Sequence, residues 1–167
     1  MFIFYNSYWI VLVIIAKNNS KFVNEPFKIS IGPELDFYVR RPLGLLSNFV
    51  SMIWASKGVP NFLEERVIPD GGSLLLFNFG TPLKSFNTHE KLVIKSCVFV
   101  GVFTSFSSIS YPPDDSIHQQ VGIIFNPGGA YPFVKTSMDE FKNLVVDATL
   151  LNKNLYGEIY QRLGEIS

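Results

Sequence analysis

Short apolar runs alternate with turn-forming residues through the first three quarters of this 167-residue chain. The stretch from Lys17 to about Pro33 is largely polar, and residues 42–46 read as a helical turn leading into a strand over 49–55. The run at 63–68 stops at Pro69-Asp70-Gly71-Gly72, and the run at 73–79 stops at Gly80-Thr81-Pro82. Residues 92–103 carry Gly101 inside an apolar run, where a bend or bulge is expected. Residues 105–111 end at two prolines and two aspartates, and residues 119–125 end at Asn126-Pro127-Gly128-Gly129. Many short β-rich runs with this punctuation predict a sandwich or barrel.

The period then changes. Ser137 and Glu140 are spaced as a capping box, and Met138, Phe141, Leu144, Val145 and Ala148 follow at helical spacing. A second helix is expected from about Asn154, with Leu155, Ile159 and Leu163 on one face. Glu158 and Arg162 can pair across one of its turns, while Gly157 weakens it by about 1 kcal/mol. The fold class is therefore mainly β (α+β), a β-barrel or sandwich followed by two C-terminal helices.

Period-two alternation also sorts the side chains of the most patterned stretch, ERVIPDGGSLLLFNFG. Leu74, Leu76 and Asn78 share one face, and Leu75, Phe77 and Phe79 share the other. Asp70-Gly71-Gly72 raises the question of a phosphate loop, which needs several backbone N–H groups at a helix N-terminus. A strand-like run follows instead, with no lysine in the required place, so the triplet reads as the turn of a strand–turn–strand unit.

Composition narrows the function classes. Lys+Arg and Asp+Glu balance at 14 each, so no broad positive field exists to attract nucleic acid, and direct DNA binding by this chain is not expected. A hydrophobic fraction of 47% excludes a disordered chain. The single cysteine, Cys97, lies in an apolar run and reads as a small buried hydrophobe. Residues 8–16 are uncharged and apolar, shorter than the roughly 20 residues that span a bilayer, with no basic segment before them. A membrane anchor is therefore not the expectation, although a buried strand and an extended start both fit that segment.

Candidate chemistry is sparse. His89 and His118 are unclustered, so neither a metal site nor a metal cofactor is expected. No G-x-S-x-G motif marks a nucleophile. Polar or aromatic residues in apolar surroundings are better candidates for a binding pocket. Trp54, Arg66, Asn78 and Phe125 are the candidate ligand-binding residues, and no catalytic residue stands out.

Several words of the sequence carry a resemblance. Pro42 and Leu46 through Trp54, then Glu65-Arg66-Val67-Ile68-Pro69-Asp70-Gly71-Gly72, then Leu76-Phe77-Asn78-Phe79-Gly80 with Pro82-Leu83, occur in order. They are followed by Val121-Gly122-Ile123-Ile124-Phe125-Asn126-Pro127-Gly128-Gly129-Ala130 and Pro132-Phe133. From about Pro42 to Ile166 the chain resembles the uncharacterised (DUF6597-like) N-terminal domain of AraC-type bacterial transcription regulators.

The resemblance implies a cupin-like β-barrel that senses a small-molecule effector or dimerises. On it, residues 1–35 form an unmatched N-terminal extension, 36–135 the sensor-like barrel, and 136–167 the C-terminal helices of the same domain. It also implies a non-enzymatic, cytoplasmic regulatory domain without its helix-turn-helix half, forming homodimers or pairing with a full-length relative. A cupin-like metal-dependent enzyme and a membrane-tethered β-domain are the alternatives.

Overall fold

The structure is a computed structural model, which describes residues 27–31, 34–86, 91–112 and 116–166. The apolar segment at 8–16 and His89 lie outside the described residues.

Eleven described strands form two antiparallel sheets. β1 (Phe27–Ile31), β2 (Leu35–Arg40), β3 (Val50–Gly58), β5 (Leu74–Asn78), β8 (Cys97–Val100), β10 (His118–Phe125) and β11 (Val145–Asp147) make the larger sheet, ordered β1-β2-β3-β10-β5-β8-β11. β4 (Glu64–Val67), β6 (Leu83–Phe86), β7 (Lys91–Ile94) and β9 (Ser107–Ser110) make the smaller one, ordered β4-β9-β6-β7. The mainly β architecture expected from the punctuated apolar runs is the one the chain adopts.

Alternation decides what each strand buries. In the larger sheet Leu35, Phe37, Val39, Met52, Trp54, Leu76, Val98 and Ile124 turn inward, where they meet Leu83 and Ile94 of the smaller sheet. The outer face of the larger sheet, including Leu75, Phe77, Cys97, Phe99 and Phe125, is covered by the C-terminal segment through Val134, Phe141, Ala148 and Tyr156. The β5 faces read from the sequence are those observed, with Leu76 and Asn78 on the inner face and Leu75 and Phe77 on the outer.

Close approach explains one glycine. Gly122 sits opposite Trp54 in the β10–β3 register, and a Cβ there would lie 2.2 Å from the indole Cε2. The missing side chain leaves room for the indole against the neighbouring strand.

The Asp70-Gly71-Gly72 corner differs from a hairpin. β4 pairs with β9 and β5 with β10 and β8, so the corner carries the chain from one sheet to the other. Asp70 Oδ1 accepts the Gly72 N–H at 2.9 Å, and Gly71 has φ +79°. The carboxylate occupies the backbone donor that a phosphate would need.

After β10 come two α-helices, α1 (Tyr131–Val134) and α2 (Lys153–Ile166). The helix expected over 138–148 is replaced by a 3-10 turn at Met138–Phe141 followed by β11. Ser137 makes no side-chain cap bond, and Asn143 takes φ +58°, which ends any helix there. Its Oδ1 accepts the Thr104 N–H at 2.8 Å, and Val145–Asp147 then pair with the edge of β8. β-branched Val145 and Val146 fit a strand better than a helix, and the open β8 edge supplies partners.

α2 appears where the sequence places it, with the Glu158–Arg162 pair formed at 2.6 Å. Its buried stripe is Tyr156, Ile159, Tyr160 and Leu163, whereas Leu155 is 40% exposed.

Candidate functional site

Most of the space between the sheets is apolar, but one end is polar. β10 turns His118 and Gln120 inward, two and four residues before Gly122, and β3 brings Ser56 beside them. β5 supplies Asn78 at its end, opposite Gln120 in register. From the smaller sheet, β4 contributes Glu65 and the residue following β9 contributes Tyr111. Ser56, Asn78, His118 and Gln120 are all buried to 4% exposure or less.

Three contacts organise the cluster. Ser56 Oγ lies 2.7 Å from His118 Nε2, Tyr111 O–H donates to Glu65 Oε2 at 2.8 Å, and Gln120 Nε2 donates to Asn78 Oδ1 at 3.4 Å. The Tyr111 ring packs against the His118 ring with centroids 5.3 Å apart, and Phe62 meets Tyr111 edge-on at 5.2 Å. Asn78 Nδ2 also donates to the Thr81 and Ile94 carbonyls at 3.2 and 3.3 Å.

One group stands out. His118 Nδ1 is buried and has no hydrogen-bond partner among the described residues. A buried polar atom left unpaired costs about 1–3 kcal/mol, a cost that a water or a ligand atom on Nδ1 would offset.

Burial sets the charge states. Desolvation pushes the His118 imidazole down to about 4, so it is neutral at pH 7. Burial also raises the Glu65 carboxyl, with the Tyr111 hydrogen bond pulling the other way. Tyr111 is raised well above the usual phenol range by burial and by its carboxyl neighbour. Arg40, Lys57, Arg66 and Lys84, the strand cations nearest in sequence, are exposed.

A serine on a histidine is also the start of a nucleophilic dyad. Here no described carboxylate orients the imidazole through Nδ1, and Ser56 sits within a strand at 2% exposure. An imidazole lowered to about 4 is a weak base at neutral pH.

The four residues singled out from the sequence are not brought together. Trp54 and Asn78 line the same interior, with Trp54 tilted against Phe37 at 5.8 Å. Arg66 is exposed, its guanidinium over the Phe106 ring at 5.2 Å. Phe125 packs on the opposite face of the larger sheet against Phe99 and Phe133. His118, Ser56, Gln120, Glu65 and Tyr111 were not among those candidates. The alternation His118, Gln120, Gly122 along one strand face was the available signal, but its meaning depends on what lies opposite.

A family model described as "Domain of unknown function (DUF6597)" matches residues 38–147. The chain belongs to the DUF6597 family. No curated protein matches it. Among solved structures, the DUF6597 chain is similar to vicilin from Corylus avellana (hazelnut), at 13% identity and TM-score 0.47, over 60% of this chain and 30% of that one. It is also similar to the plu4264 protein from Photorhabdus luminescens, at 10% identity and TM-score 0.46, over 65% and 88%. A third is a predicted oxalate decarboxylase from Thermotoga maritima, at 14% identity and TM-score 0.42, over 64% and 96%. The polar cluster lies within the matched DUF6597 span, as do both sheets except β1 and the first three residues of β2.

Proposed function

We propose that this chain is a non-enzymatic regulatory domain of the type carried by AraC-type transcription regulators, binding a small-molecule effector between its sheets. The observation that carries the reading is the buried polar cluster around His118, whose Nδ1 lacks a partner among the described residues, beside a largely apolar core. The sequence words that resemble the sensory half of such regulators support it further.

On this reading the C-terminal helix reports on that interior. Tyr160 of α2 donates to the Asn78 carbonyl at 2.9 Å and stacks on Phe79 at 4.7 Å, so the strand end that carries Asn78 also holds α2. On this reading α2 passes occupancy to a second copy or to a full-length relative, and the protein works in the cytoplasm without a cofactor.

Among the described residues, no group of three His, Cys, Asp or Glu is positioned to hold a metal ion. Likewise no described helix is long and apolar enough to cross a membrane.

The test is a thermal-shift screen of the purified chain against a metabolite library, repeated on His118→Gln. A hit that raises Tm in the parent and loses its effect in the variant supports the reading. Stoichiometric Fe, Mn, Zn or Ni in the purified protein would replace it with a metal enzyme. Failure to co-elute with a full-length relative would remove the heterodimer.

A further inference from the structure

We propose that the interior site takes an uncharged, hydroxyl-bearing small molecule with an apolar body, its hydroxyl on His118 Nδ1. The inference rests on the sensing reading above and specifies its ligand.

Charge comes first. Among the described residues the strand cations Arg40, Lys57, Arg66 and Lys84 are exposed, and none bonds to the cluster's side chains to pair with a buried anion. Removing a carboxylate from water without a partner costs several kcal/mol. Among the described residues of the cluster the carboxyl a cation would meet is Glu65, and that group already accepts the Tyr111 hydroxyl. Burial also disfavours the ionised carboxylate that such a cation would need.

Hydrogen-bonding capacity comes second. Ser56, Glu65, Tyr111 and Gln120 find partners within the cluster, and Asn78 bonds to Gln120 and to the Thr81 and Ile94 carbonyls, while His118 Nδ1 offers an open position among the described residues. Whether Nδ1 donates or accepts depends on which ring nitrogen carries the proton. A hydroxyl satisfies either tautomer, whereas a carbonyl satisfies one and an ammonium the other. Phe37, Trp54, Phe62 and Tyr111 are the aromatic rings of the core between the sheets, the surroundings an apolar body would meet.

Three probes that share a phenyl ring separate the possibilities: benzyl alcohol, benzoate and benzylammonium. The chain has two histidines, so His89→Gln assigns the His118 ring signals in an NMR titration at pH 7. Benzyl alcohol is expected to shift those signals and to bind at least about tenfold more tightly than either charged probe, because burying either charge costs more than a hydrogen bond to Nδ1 offsets. Its effect on Tm is expected to vanish in His118→Phe.

Equal shifts from benzoate or benzylammonium would overturn the ligand class while leaving an interior sensor standing. Silence of the His118 ring to all three, up to solubility, would overturn the assignment of His118. The metabolite screen would then decide the sensing reading separately. A benzyl alcohol response unchanged in His118→Phe would also overturn the role of His118. If that variant fails to fold, the parent-protein titration alone decides.

Discussion

Lowering the pH from 7.5 to 4.5 probes the central feature of this interior, a buried neutral imidazole with no partner on Nδ1 among the described residues. In the folded protein burial lowers His118 to about 4 from an ordinary 6.5. The unfolded chain therefore takes up the proton first. Stability from this group is fully present above about pH 6.5 and is lost as the pH falls towards 4. Integrated over that window, the loss is about 2.5 kcal/mol.

Glu65 contributes with the opposite sign. Its raised carboxyl favours the folded state in acid and loses that contribution as pH rises through its folded value. The parent curve alone would mix the two, so the measurement is a difference. Urea unfolding of the parent and of His118→Gln is followed at half-unit pH steps, and the two free energies are subtracted. Groups common to both proteins largely cancel. The parent's advantage is expected to shrink by about 2.5 kcal/mol across the window. A flat difference curve, or a His118 ring that titrates at 6.5 or above by NMR, would refute the burial argument.

Three further outcomes follow from particular contacts. Asn78→Ala removes two donated bonds to the Thr81 and Ile94 carbonyls and the acceptor of Gln120, and is expected to cost about 3 kcal/mol in urea. Asn78→Asp should be worse at pH 8 than at pH 5, because the buried carboxylate cannot donate until it is protonated; equal stability at both would sink the explanation. Gly122→Ala, whose Cβ meets the Trp54 indole, is expected to cost about 1–3 kcal/mol, and less than additively with Trp54→Leu. Strict additivity in that double variant would argue against the contact. Cys97 is 1% exposed, with its thiol pushed up to about 12, so a thiol reagent should label it only as fast as the fold opens. Rapid stoichiometric labelling of native protein would contradict its placement.

Local pattern was legible wherever one strand face is wet and the other dry. The runs around 49–55, 63–68, 73–79 and 119–125 became β3, β4, β5 and β10, and the opposed faces of β5 were readable because side chains alternate with period two. The Glu158–Arg162 pair was readable because a helix brings residues four apart together. β1 and β2 went unrecognised. LDFYVR does alternate, but it follows a polar stretch, and its inward set of Leu35, Phe37 and Val39 gains meaning only beside β3.

The candidate site was far less legible. Ser56 and His118 are 62 residues apart, and Glu65 and Tyr111 are 46 apart. No local spacing announces such pairs, since each is made by strand register or by the packing of one sheet on the other. The stretch at 138–148 shows the same limit from the other side. Its helical spacing and apparent cap were outweighed by Asn143 at positive φ and by the unpaired edge of β8.

By itself the sequence determined the periodicities, the turns and the uncharged balance of the chain, because each depends on neighbours along the backbone. Tertiary structure alone decided that the Asp70 corner joins two sheets, that Phe125 and Trp54 lie on opposite faces, and that a lone histidine has an open nitrogen. Those outcomes depend on which distant strands share an interior, and a buried polar group acquires its cost and its use only there.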